Sequence, residues 1–216
     1  MRTLGPDDII YIIAAVRWTL LLSLVAFLGG GIGGMFVALA RTGVIKWLRI
    51  AAAGYIKVFQ GTPLLMQLFL AFFAPGLVGW SVDPWMAASI GLSLHASAFL
   101  GEIWRGAIEV VPRGQWEAAT SLGIPYWMKM RLIIVPQALR IAIPPTIGFL
   151  VQLIKGTSLA SIIGFVELTR AAQVINNATF RPFTIFGLVA LIYYVICRPL
   201  SAYSKRMERK LLVAVR

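Results

Sequence analysis

Seven polar side chains within largely apolar stretches bound the chemistry open to this chain. Lys155, Thr157 and Ser158 fall within four positions and offer an ammonium and two hydroxyls. Gln67, His95 and Ser97 offer an amide, an imidazole and a hydroxyl. Glu102 stands three residues before Arg105, the spacing of a pair on one helix face. Such groups can hold a small polar solute or satisfy backbone groups in an apolar setting. None assembles into a nucleophile with a base and an orienting partner. Cys197 lies alone in an apolar run and His95 is the only histidine, so no cysteine/histidine cluster has metal-ligand spacing. Three roles fit Lys155: holding a solute carboxylate, snorkelling to an interface, or capping a broken helix. His95 reads either as a hydrogen-bonded core residue or as a ligand.

The elements that must position these residues are membrane helices. Of 216 residues, 59% are hydrophobic and 13% charged, against about 25% charged in an ordinary soluble domain. Between Arg17 and Arg41 lie 23 uncharged residues, and between Lys57 and Asp83 another 25. At about 1.5 Å per residue each run exceeds the roughly 30 Å of a hydrocarbon core. Asp83-Pro84 reads as a helix start, and a third run follows from Trp85 to Gly101. Ile141–Ile154 is short and holds Pro144-Pro145, so the fourth span must continue past Lys155 toward Phe165, kinked by the prolines. Thr157 and Ser158 would then satisfy backbone groups freed by the prolines and Gly156. A fifth span runs from about Pro182 to Ser201. The aromatic-rich stretch from Phe69 to Trp85 reads as a lipid belt or an outer gate.

The net charge of +12 belongs to this membrane pattern and not to nucleic-acid binding. Of the 20 basic residues, 15 fall after the first span, after the third and in the tail. The positive-inside rule puts those segments, and the carboxyl terminus, in the cytoplasm and the amino terminus outside. Asp7 and Asp8 occupy the place where a signal peptide would carry a basic region. Gly29-Gly30-Gly31-Ile32-Gly33-Gly34 lacks the lysine of a phosphate-binding loop and suits helix packing through glycines four apart.

The third connection, about residues 106–138, is far longer than a turn requires and mixes apolar and polar residues at helical spacing. Arg113 to Gly123 reads as a short helix, with Glu117 capping it or facing a cation and Gly123 as a left-handed cap. Pro125 fits the start of a second helix, and Pro136 its end or a kink.

Here the chain resembles a known family. Glu117-Ala118-Ala119, three residues, Gly123, twelve residues and Pro136 resemble the EAA loop of bacterial ABC importer permeases. Phe59–Leu68 (FQGTPLLMQL), Ala98–Gly106 (AFLGEIWRG), Gln115–Gly123 with Pro136-Gln137-Ala138, and Lys155–Leu159 (KGTSL) resemble, in order, stretches of the polar amino-acid branch. The similarity covers about residues 15–204.

The resemblance implies an all-α polytopic fold of the MetI-like, type I importer class. An extracytoplasmic segment 1–14 would precede a permease domain 15–204, followed by a basic cytoplasmic tail 205–216. It implies a coupling helix of Glu117, Ala118, Ala119 and Gly123, and a solute pathway drawn from Gln67, His95, Ser97, Lys155, Thr157 and Ser158. The partners implied are a second permease, two cytoplasmic ATPases that bind ATP and Mg, an extracytoplasmic solute-binding protein and lipid, in the bacterial inner membrane. This chain carries no cofactor and no ATPase motif of its own. Gln60, Gly148 and Gly156 stand where the branch has arginine, asparagine and aspartate. The two missing polar groups of the fourth span suggest a different permease as partner, a heterodimer before a homodimer. An ion-gradient transporter and a non-transporting scaffold are the rival readings.

Overall fold

The computed structural model describes residues 3–214; Arg2 and Arg216, counted in the charge pattern above, lie outside them. Among the described residues every regular element is helical. Helix α1 (Pro6–Thr42) starts at a proline, and the Gly5 N–H donates to Asp8 Oδ2 at 2.9 Å. Residues 6–14, expected to precede the first span, form the opening turns of this helix. Helices α2 (Lys46–Gly61) and α3 (Leu64–Phe73) follow, then α4 (Pro84–Val110) and the short α5 (Arg113–Ser121). Helix α6 (Tyr126–Lys129) runs through a π-helical turn (Met130–Ile134) into α7 (Val135–Gly156) and a 3-10 turn (Thr157–Ser161). Helices α8 (Leu168–Thr179) and α9 (Pro182–Ala214) complete the chain.

Among the described residues four helices are long and apolar enough to cross a membrane, and five spans result if the bent α2–α3 pair counts as one. The five-span expectation holds, with two corrections. The second span is not one helix from Val58 to Val82. It breaks at Thr62-Pro63 with a bend of 105° between Lys46–Gly61 and Leu64–Val78. Pro63 has no N–H to donate and its ring pushes Thr62 out of helical backbone, to φ −115° and ψ 144°. The fourth span does not begin at Ile141. Its helix reaches back to Tyr126, and Pro136 ends nothing, because the preceding π turn absorbs its ring and missing donor. Pro144 and Pro145 lie inside α7.

The glycines of α1 let it lie directly on α4. A Cβ on Gly30 would stand 2.3 Å from Ala96 Cβ, and one on Gly101 2.5 Å from Val37 Cγ1. This is the small-residue packing that membrane helices use where lipid removes the hydrophobic drive. The central core gathers Leu22 and Ala26 of α1, Leu68 of α3, Leu92, Ala96 and Leu100 of α4, and Phe149 and Leu153 of α7. A second cluster joins the end of α4 to the π turn through Ile108, Val111, Met130 and Ile134. A third binds Ile12 of α1 to Leu168 and Ile175 of α8 and to Ile185 of α9. Asp83 accepts from the N–H groups of Trp85 and Met86 at 2.9 and 3.1 Å, so α4 starts where Asp83-Pro84 predicted.

Candidate functional site

The elbow around α5 is built as its sequence predicts at one end and differently at the other. Gly123 adopts φ +69° with open space where a side chain would go, so its place is set by backbone conformation alone. Its N–H donates to the Thr120 carbonyl at 2.9 Å, and the Ile124 N–H to the Ala119 carbonyl at 3.0 Å. Together these close the C-terminal end of α5. Glu117 does not cap the other end. Pro112 stands at the N-cap without a side-chain bond, and among the described residues the exposed Glu117 carboxylate has no hydrogen-bond or ion-pair partner. Ala118 is exposed, whereas Ala119 is 1% exposed and faces the membrane domain. Trp116 packs against the cluster joining α4 to the π turn, and Lys129 Nζ donates to Thr120 Oγ1 at 2.5 Å. The elbow is thus fastened to both neighbouring spans while presenting Glu117 outward.

The predicted pathway residues fall into three places. Gln67 and His95 meet: Gln67 Oε1 lies 2.9 Å from His95 Nδ1. The Gln67 amide nitrogen donates to the Phe59 carbonyl at 2.8 Å and to the Thr62 carbonyl at 3.1 Å, bracing the break between α2 and α3. The His95 ring lies tilted against Phe99, with centroids 4.5 Å apart, and Phe99 stacks 5.3 Å from Phe149 of α7. Ser97 turns away from this group toward α1 and α2, where its hydroxyl lies 2.6 Å from that of Tyr55.

Lys155 and Ser158 lie on the other side of α7. With Tyr193, Tyr194, Cys197 and Arg198 they line an open groove of about 520 Å³ between α7 and α9. Thr157 is fully buried and donates to the Ile154 carbonyl at 2.7 Å; Ser158 donates to the Lys155 carbonyl at 2.7 Å. These are the last carbonyls of α7. The carbonyls that Pro144 and Pro145 leave unpaired, those of Arg140 and Ile141, stand about four turns earlier, so the expected compensation is made only at the Gly156 end. Arg105 pairs with Glu102, Nη2 to Oε1 at 2.5 Å, and also with Glu109, which spacing alone did not bring in. Cys197 is a buried thiol among Val151 and Ile154.

One buried acid escaped sequence reasoning. Glu167 is fully buried between α7 and α8. Its Oε1 accepts from the Arg170 N–H at 2.9 Å, capping α8, and its Oε2 accepts from Thr19 of α1 at 3.3 Å and Tyr193 of α9 at 3.1 Å. Burial pushes its carboxyl above the usual range, against the pull of these donors. The available signal was an acid just ahead of Leu168, Ala171, Ala172 and Ile175, apolar residues at helical spacing.

Residues 30–213 match the family described as the binding-protein-dependent transport system inner membrane component. The chain is 42% identical over 207 residues to the probable amino-acid ABC transporter permease protein YckA of Bacillus subtilis, covering 96% of this chain and 92% of that one. A crystal structure of an amino acid ABC transporter with histidines superposes with a TM-score of 0.88 at 33% identity, over 97% of this chain and all of that one. The methionine transporter MetNI in an inward-facing form superposes at 0.79 and 19% identity, over 96% and 99%, which shows the shared fold. The fastened α5 elbow, the five spans and these matches agree: the chain belongs to the binding-protein-dependent transport system inner membrane components, the membrane-spanning permease subunits of ABC importers.

Proposed function

We propose that this chain, paired with a second and different permease, carries a polar amino acid into the cytoplasm by alternating access. Two separate ATPases grip the α5 elbows, bind ATP and Mg, and close on each other. The closure pushes α5, tilts α4 and α7, and opens the pathway outward to a solute-binding protein. Hydrolysis returns it inward. The amino terminus faces outward and the α5 elbow and basic carboxyl end face the cytoplasm, as the distribution of lysine and arginine supports. The observation that carries this reading is an elbow packed onto two spans while an unpaired carboxylate, Glu117, points away from them. The Bacillus subtilis relative and the solved amino-acid transporter support the solute class.

Reconstituting the complete complex in proteoliposomes and following a labelled amino acid tests this. ATP-dependent uptake is expected, lost on Glu117→Lys without loss of membrane insertion. Full uptake by that variant would remove the elbow from the mechanism.

A further inference from the structure

The groove between α7 and α9 holds a charge arrangement that a general polar pathway does not require. Lys155 and Arg198 reach it from different helices, and both are exposed. Among the described residues neither has an ion-pair or hydrogen-bond partner. Both stand on candidate membrane-spanning helices, and a cation there without a partner is retained for a ligand, an aqueous path or the interface. No carboxylate lines the groove. The acid behind its wall, Glu167, is fully buried and its oxygens are taken by Thr19, Tyr193 and the Arg170 N–H. Arg198 also borders a cleft with Lys205, Arg206, Arg209 and Lys210, which extends the positive potential along α9 and raises the local concentration of anions.

We propose that this groove is an anion-selective binding site whose ligand is a solute with two acidic groups, an acidic amino acid in preference to a neutral or cationic one. The proposal rests on the amino-acid reading given above. One carboxylate of such a solute pairs with Lys155 and the other with Arg198, each a charge-assisted contact. A cationic side chain in the same groove would face two positive charges with no acid to receive it. A neutral amino acid would satisfy one cation and leave the other bare.

The test uses the full permease–ATPase complex in nanodiscs, without binding protein, so that only membrane-domain selectivity is read. Titration calorimetry with L-glutamate, L-glutamine and L-arginine is expected to rank glutamate tightest, by about tenfold or more over arginine. Lys155→Gln and Arg198→Gln should each weaken glutamate about tenfold, and Lys155→Arg should recover most of that loss, which separates lost charge from misfolding. Amino-acid binding with no preference for glutamate, or indifferent to both substitutions, overturns this proposal and leaves the transport reading intact. No binding of any of the three, together with no uptake in proteoliposomes, overturns both. Anionic phospholipid that co-purifies with the wild type but not with the doubly substituted chain, and blocks glutamate, makes a lipid headgroup the ligand and likewise overturns it.

Discussion

The phenol of Tyr193 donates to Glu167 Oε2 at 3.1 Å, while the same tyrosine lines the groove that holds Lys155 and Arg198. One residue of α9 therefore touches both the wall of an open groove and a buried acid that caps α8 and accepts from Thr19 of α1.

Glu167 gives the complex a pH dependence whose sign follows from burial. Its carboxyl is raised above its ordinary value of 4.5 in the folded chain. The stability it contributes is therefore fully present below pH 4.5 and is lost as pH rises through the folded value. Thermal melts of the nanodisc complex should fall over that interval, and Glu167→Gln should flatten the fall. Identical pH profiles for wild type and variant would contradict this.

Gly30 tests the contact between α1 and α4. A Cβ there meets Ala96 at 2.3 Å, with Ala96 backbone atoms at 3.1 and 3.2 Å, so no flexible side chain can yield. Gly30→Val should cost about 1–3 kcal/mol, typical of forcing atoms into a packed contact, and lower the melting temperature. Gly54→Ala, at an open position of α2, is the matched control and should leave it unchanged or slightly raised.

Gln67 braces a broken helix. Gln67→Leu leaves the carbonyls of Phe59 and Thr62 without their donor, at about 0.5–1.5 kcal/mol for each hydrogen bond lost. Lower thermal stability is expected, together with increased protease cleavage near Thr62-Pro63. An unchanged cleavage pattern would show that Pro63 alone fixes the bend.

The two ends of the elbow should separate stability from coupling. Gly123→Ala forces a side chain into φ +69° and should cost about 1 kcal/mol of stability. Glu117→Lys alters an exposed, unpaired carboxylate and should change stability by no more than about 0.5 kcal/mol while abolishing stimulation of the ATPase by binding protein. Equal stability losses in the two variants would contradict the assignment.

What the sequence revealed, and what it hid, follows from the range of the forces involved. The cap at Gly123 and the start at Asp83 were legible because each rests on a residue and its neighbours within four positions. The number of spans was legible because a bilayer demands long uncharged runs. The bend at Thr62-Pro63 hid inside such a run: hydropathy does not register a missing donor, although Pro63 itself was in view. The association of Gln67 with His95 spans 28 positions and that of Glu167 with Thr19 spans 148, distances at which only the packing of helices decides who meets. Ser97 lies apart from His95, because two residues along a helix is almost the opposite face.

From Tyr126 to Ser161 the backbone makes one candidate span of 36 residues, a rod of roughly 54 Å at 1.5 Å per residue. Its near end begins a few residues beyond Gly123 and its far end carries Lys155 and Ser158. In the transport cycle proposed above, a rod of this kind would serve as a crankshaft, carrying a push on the elbow to the far end with no loop between them. Its wide-bore turn at Met130–Ile134 interrupts the regular winding near the elbow, as the tighter 3-10 turn at Thr157–Ser161 does near Lys155.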